Sequence, residues 1–101
     1  MTRTLLTALT IASLSVAVPA YAAGDVAAGK AKAASCAMCH GPNGEGTQMA
    51  PKLAGEDAAK FTQALKDYAS GKKDNAMMKS QAASLSAADM DNLAAYYASM
   101  K

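Results

Sequence analysis

Cys36-Ala37-Met38-Cys39-His40 is the stretch on which the fold turns. C-x-x-C-H reads as a c-type haem attachment site. Two cysteines three apart on a helical turn lie on one side, so each sulfur can reach one vinyl group of a porphyrin. The residue after them can then present its imidazole to the iron. Three rivals use the same residues and fit less well. A thioredoxin-like redox pair sits beside a βαβ unit, and a structural zinc site needs four ligands where two Cys and one His supply three. A disulfide across so short a loop would be strained and leaves His40 unexplained.

Outward from the motif, composition explains why a cofactor is needed. Of the 101 residues, 51% are hydrophobic, but 26 are alanine. From Ala23 onward, Leu, Ile, Val and Phe number six: Val26, Leu53, Phe61, Leu65, Leu85 and Leu93. A chain this short buries only about 60% of its unfolded surface even with a normal core. So few bulky side chains cannot offset the entropy of ordering the backbone. Only Val26, Thr47 and Thr62 are β-branched in that stretch, which argues against a sizeable sheet. The expectation is a single small all-α domain over 23–101, stapled by a bound group.

The N-terminus reads as a secretory signal peptide over 1–22. Arg3 supplies a positive charge, Leu5 to Val18 runs uncharged for 14 residues, and Ala20 and Ala22 suit a cut before Ala23. That run is short of the roughly 20 apolar residues of a membrane span. No cysteine follows it to carry a lipid. The mature chain is therefore expected in the periplasm, where two nearby thiols oxidise unless something claims them. Without Arg3 the formal charge of +2 falls to +1, nine lysines against eight acidic residues. Such balance excludes a nucleic-acid surface. Lys72, Lys73 and Lys79 form the one cluster, read as a solvated face.

Along the mature chain, Asp25 to Ser35 is rich in the helix formers Ala and Lys and runs into the cysteines. Gly41 to Gly46 holds three glycines and a proline in six residues and must be a loop, which continues through Met49-Ala50-Pro51-Lys52-Leu53. A helix follows Gly55, with Glu56 and Asp57 at the positive end of its dipole. Phe61, Leu65 and Tyr68 form its stripe, and Ser70-Gly71 closes it. Asn75 to Ser84 has a weak pattern and reads as partly helical. The final helix is the clearest: Ser86 and Asp89 form a Ser-x-x-Asp start, and Met90, Leu93, Ala94, Tyr97 and Met100 share one face.

His40 is the only histidine, so a second imidazole on the iron is impossible. Methionine sulfur is the natural sixth ligand, and a His/Met pair raises the reduction potential. Met38 lies between the cysteines, Met49 lies too close to Pro51, and Met90 and Met100 belong to the last helix's stripe. Met77 and Met78 remain, and the residues alone leave both open.

With these motifs in place, 23–101 resembles the small bacterial class I monohaem cytochromes c. The resemblance rests on Cys36 to Gly44, on Met49-Ala50-Pro51-Lys52-Leu53-Ala54-Gly55 and on Leu93-Ala94-Ala95-Tyr96-Tyr97-Ala98. It implies three to five short helices around one covalent haem c held by Cys36 and Cys39, the first and last helices crossing where Gly29 meets Tyr96. It implies Pro51 as the carbonyl that accepts from the haem histidine, His40. The family's spacing, seven residues back from the apolar residue opening the final helix, runs from Leu85 to Met78 as the metal ligand, with Met77 the alternative. The implied activity is one-electron carriage and no enzymatic turnover. Partners would be other redox proteins, such as respiratory membrane complexes, a terminal oxidase or a periplasmic oxidoreductase, docked transiently. A haem subunit docked permanently to an oxidoreductase, and a gas-binding sensor with an open sixth site, are the competing classes.

Overall fold

The computed structural model describes residues 24–100. The signal-peptide reading of 1–22, with its cut before Ala23, lies outside the described residues. Five helices follow one another: α1 (Val26–Lys32), α2 (Ala34–His40), α3 (Ala58–Ser70), α4 (Ala76–Ala83) and α5 (Ala87–Ala98). No strand occurs among the described residues, as the scarcity of β-branched side chains requires.

Capping sets most of the boundaries. The Asp25 carboxylate accepts from the N–H groups of Ala27 and Ala28 and starts α1. Asp57 caps α3 by accepting from Lys60, and Gly71 ends it in the left-handed region at φ 84°. Asp57 therefore stands at the positive end of the α3 dipole as the cap itself. Asn75 caps α4 through the Met78 N–H, so the weakly patterned segment forms two full turns. At α5 both reciprocal bonds of the Ser86/Asp89 capping box are made, each 3.0 Å long. Leu85 precedes that cap rather than opening the helix.

The helix running into the cysteines is interrupted. Ala33 separates α1 from α2, although its own N–H still bonds Gly29 and its carbonyl still accepts from Ala37. The joint lets α1 follow α5 while α2 turns the cysteines elsewhere.

Helices α1 and α5 cross at close range. A Cβ on Gly29 would collide with the Asn92 carbonyl and stand 2.7 Å from the Tyr96 Cβ, so only glycine fits. The Asp25 N–H donates to the Asn92 side chain (2.8 Å), and Lys32 pairs with Asp89 at 3.4 Å. Beneath the crossing, Phe61 and Leu65 of α3 meet Met90, Leu93, Ala94 and Tyr97 of α5 in the core. Full burial of a side chain such as Leu93 contributes about 2 kcal/mol. The stripe on α5 is thus as its spacing requires, except that Met100 lies beyond the helix end and packs half-buried.

Candidate functional site

The loop after α2 is built to hold one side of a cavity. Gly46 N–H donates back to the His40 carbonyl, and Leu53 and Ala54 N–H groups both donate to Gly44. Gly44 stands at φ 64°, and a Cβ there would press on the Tyr97 ring at 2.6 Å. Thr47 adds a clamp that the sequence reading missed: its hydroxyl donates to the Cys39 carbonyl (2.5 Å) and accepts from Met49 N–H (3.1 Å). A lone threonine in a glycine-rich loop carries no local signal of a partner eight residues back.

These contacts bring Pro51 over the histidine. His40 is buried, and its Nδ1 lies 2.7 Å from the Pro51 carbonyl oxygen. A carbonyl can only accept, so Nδ1 carries the proton, and in the neutral ring this leaves the lone pair on Nε2. That is the tautomer and orientation a metal-binding imidazole needs.

Cys36, Cys39, His40 and Pro51 line one cavity of about 430 Å³ with Phe61, Leu65, Tyr68 and Leu85. Both cysteines are free thiols. Burial pushes the Cys36 thiol up, an effect partly offset by hydrogen bonds to the Ser35 and Tyr97 side chains. The Tyr97 contact is a second feature unread in the sequence, because it joins residues far apart in the chain. The walls are apolar, with a metal-ready imidazole and two thiols converging on them, and a covalently linked haem fits these groups. Among the described residues no cluster of three or more His, Cys, Asp or Glu side chains is placed to hold a metal ion.

The methionines separate by burial. Met38 is 80% exposed, Met49 74% and Met77 68%. Met90 is in the core, and Met78 packs half-buried against that core. Met77 and Met78 both line the cavity. Of the lysine cluster, Lys73 reaches the cavity, its ammonium 5.5 Å from the centre of the Tyr68 ring. Lys72 and Lys79 are exposed. No helix among the described residues is long and apolar enough to cross a membrane.

Comparison with known proteins agrees with this site. The cytochrome c family model matches residues 26–101. Cytochrome c-554(547) of Halothiobacillus neapolitanus is 45% identical over 91 residues, covering 78% of this chain and 100% of that protein. Cytochrome c4 of Pseudomonas aeruginosa is 42% identical over 83 residues, covering 81% of this chain and 41% of its own length. A thiosulfate dehydrogenase electron acceptor of Thiomonas intermedia is 39% identical over 101 residues, 98% of this chain and 45% of that one. The solved cytochrome c4 of Acidithiobacillus ferrooxidans superposes with a TM-score of 0.72 at 31% identity, covering 76% of this chain and 49% of that one. The chain thus spans about half the length of the c4-type relatives and the full length of the c-554 protein. Five helices, of which α2, α3 and α4 line the cavity, with Cys36, Cys39 and His40 set for a single covalent haem c, carry the likeness from sequence to site, and the chain belongs to the cytochrome c family.

Proposed function

We propose that the chain is a periplasmic one-electron carrier in which Cys36 and Cys39 hold a single haem c between His40 and Met78. The observation that carries this reading is the buried His40, its Nδ1 tied to Pro51 and its other nitrogen left for a metal, beside two thiols on the same cavity. A haem c bound there supplies a one-electron Fe(III)/Fe(II) couple.

The chain's own residues do the rest. The Pro51 carbonyl fixes the imidazole, Thr47 pins the loop that carries Pro51, and Phe61 and Leu65 keep water from that side. Such rigidity keeps rearrangement between oxidation states small. Burial supports Met78 over Met77: its side chain packs against the core, whereas Met77 is 68% exposed. Asn75 holds Met78 through its backbone N–H, 3.1 Å away. With His40 and Met78 both holding the iron, no position would be left for a substrate, and the chemistry supplied would be electron exchange with a partner.

Export is supported by Arg3, the uncharged run Leu5 to Val18, and Ala20 and Ala22 ahead of the cut. The relative described as an electron acceptor of thiosulfate dehydrogenase supports an oxidoreductase as the donor class. A respiratory membrane complex or terminal oxidase, docked transiently, is the corresponding acceptor class.

The test is a redox titration of the holoprotein followed by visible spectroscopy. The expected result is a reversible one-electron transition and the far-red charge-transfer band of methionine-ligated Fe(III). A high-spin spectrum, with carbon monoxide binding rapidly to the reduced form, would reveal an open sixth site and replace the carrier by a gas-binding protein.

A further inference from the structure

We infer that Thr47 is a positioning residue for the haem ligand: its hydroxyl ties the turn 47–51 to the Cys39 carbonyl and so holds the Pro51 carbonyl against the His40 Nδ1 proton. The inference rests on the haem-carrier reading above and adds a residue's role to it.

Thr47 makes three hydrogen bonds from one position. Its hydroxyl donates to the Cys39 carbonyl at 2.5 Å and accepts from the Met49 N–H at 3.1 Å. Its own N–H donates to the Ala50 carbonyl at 2.9 Å. The turn is thereby folded on itself and fastened to the end of α2. Gln48 and Met49 are exposed, Ala50 has no polar side chain, and Pro51 has no N–H to give. Among the described residues, the turn's one other hydrogen bond is the 2.7 Å contact between His40 Nδ1 and the Pro51 carbonyl. Thr47 is itself exposed, so packing is not what it contributes.

The acceptor is as telling as the donor. The Cys39 carbonyl stands at the end of α2, where helices leave carbonyls without partners. Pro42 has no N–H to offer it, and the Asn43 N–H is taken by the Glu45 carboxylate at 2.8 Å. Thr47 fills that vacancy, one residue from the ligand. Two ties therefore join the same two segments, Cys39 to Thr47 and His40 to Pro51. Cut the first, and the second must hold the turn alone. A carbonyl on the Nδ1 proton raises the basicity of a ligating imidazole, and a more basic donor favours Fe(III). Loosening the turn should therefore tip the couple toward Fe(II).

The experiment compares wild-type holoprotein with Thr47→Val, which keeps the shape without the hydroxyl, Thr47→Ser, which keeps the hydroxyl, and Ser86→Ala, a cap on another helix. Pyridine haemochrome analysis first counts covalent haem. Proton NMR of the reduced form then reads solvent exchange of the His40 Nδ1 proton, and spectra at a fixed poise give the reduced-to-oxidised ratio. Thr47→Val should speed that exchange and raise the ratio roughly two- to fivefold, a part of what one hydrogen bond is worth. Thr47→Ser should match the wild type in both. Ser86→Ala should lower the denaturation midpoint and leave the ratio alone. If Thr47→Val costs stability but changes neither reading, or if Thr47→Ser or Ser86→Ala moves the ratio as far, the positioning role is overturned and the carrier reading stands. If the wild type holds no covalent haem, both fall. Should Thr47→Val fail to fold, the wild type decides: a slowly exchanging Thr47 hydroxyl resonance upholds the clamp, and its absence overturns it.

Discussion

The crossing of α1 and α5 and the cavity wall formed by α3, α4 and the loop before Pro51 are held by different means. At the crossing, protein meets protein: Gly29 lets the backbones touch, Asp25 bonds Asn92, and Leu93 is wholly buried. At the cavity wall Met49 and Met77 are exposed, Ala82 is the only buried residue of α4, and Phe61, Leu65 and Tyr68 face space as well as core. One side is complete by its own contacts. The other is shaped for an apolar body that the chain does not contain.

The most damaging way to break that contrast is to withhold the body. Cys36→Ala/Cys39→Ala protein made without haem should show no cooperative thermal transition by circular dichroism; a sharp one would mean that the crossing alone supports the fold. Next comes the crossing itself. Gly29→Val in the holoprotein should cost about 3 kcal/mol or more, since overpacking alone costs roughly 1–3 and here the obstacle includes backbone. Chemical denaturation would read it, and an unchanged midpoint would mean that the helices separate freely.

On the cavity side the pair Met77 and Met78 gives a sharper test. Met78→Ala should abolish the methionine–iron band and lower the potential, whereas Met77→Leu should keep the band and move the potential slightly. Reversed outcomes would shift the register by one residue. A smaller effect belongs to the α5 cap, where Ser86→Ala should cost about 1 kcal/mol by denaturant midpoint. The Asp89 carboxyl is held below its usual range, first by the Ser86 backbone N–H and also by Lys32. Its contribution is therefore present above the ordinary aspartate range and lost as pH falls through the lowered value. Stability of Asp89→Asn should lose that acid-side slope. Least of all should salt matter: with a charge of +1 from Ala23 onward, electron transfer to a partner should slow only modestly as ionic strength rises. A fall in stopped-flow rate on the order of a hundredfold would expose a strong local patch around Lys72, Lys73 and Lys79.

The same division governs what could be read from the amino acids. The final helix was legible because its signals are local: Ser86 and Asp89 sit three apart, and Met90, Leu93, Ala94 and Tyr97 repeat at the helical period. So was the attachment motif, whose spacing is its chemistry. The joint at Ala33 was not, because the neighbouring alanines Ala31 and Ala34 are helix formers like Ala33 itself and offer no breaker. Helix α4 showed no face, since its inward side addresses a cavity through Met78 and Ala82 rather than a row of core residues. The Thr47 clamp and the contact between Tyr97 and Cys36 depend on the chain returning to itself, which no window of sequence contains.

The bond from Asp25 to Asn92 spans 67 positions, and it dates the assembly. Closing a loop of that length costs about 4 kcal/mol of chain entropy by the logarithmic rule, before any contact at the crossing is gained. The attachment motif lies inside that loop. Until the last helix emerges and docks, Cys36, Cys39 and His40 remain on an open chain, and the order of events is written into topology: the cysteines are reachable early, and the fold that shields them comes last.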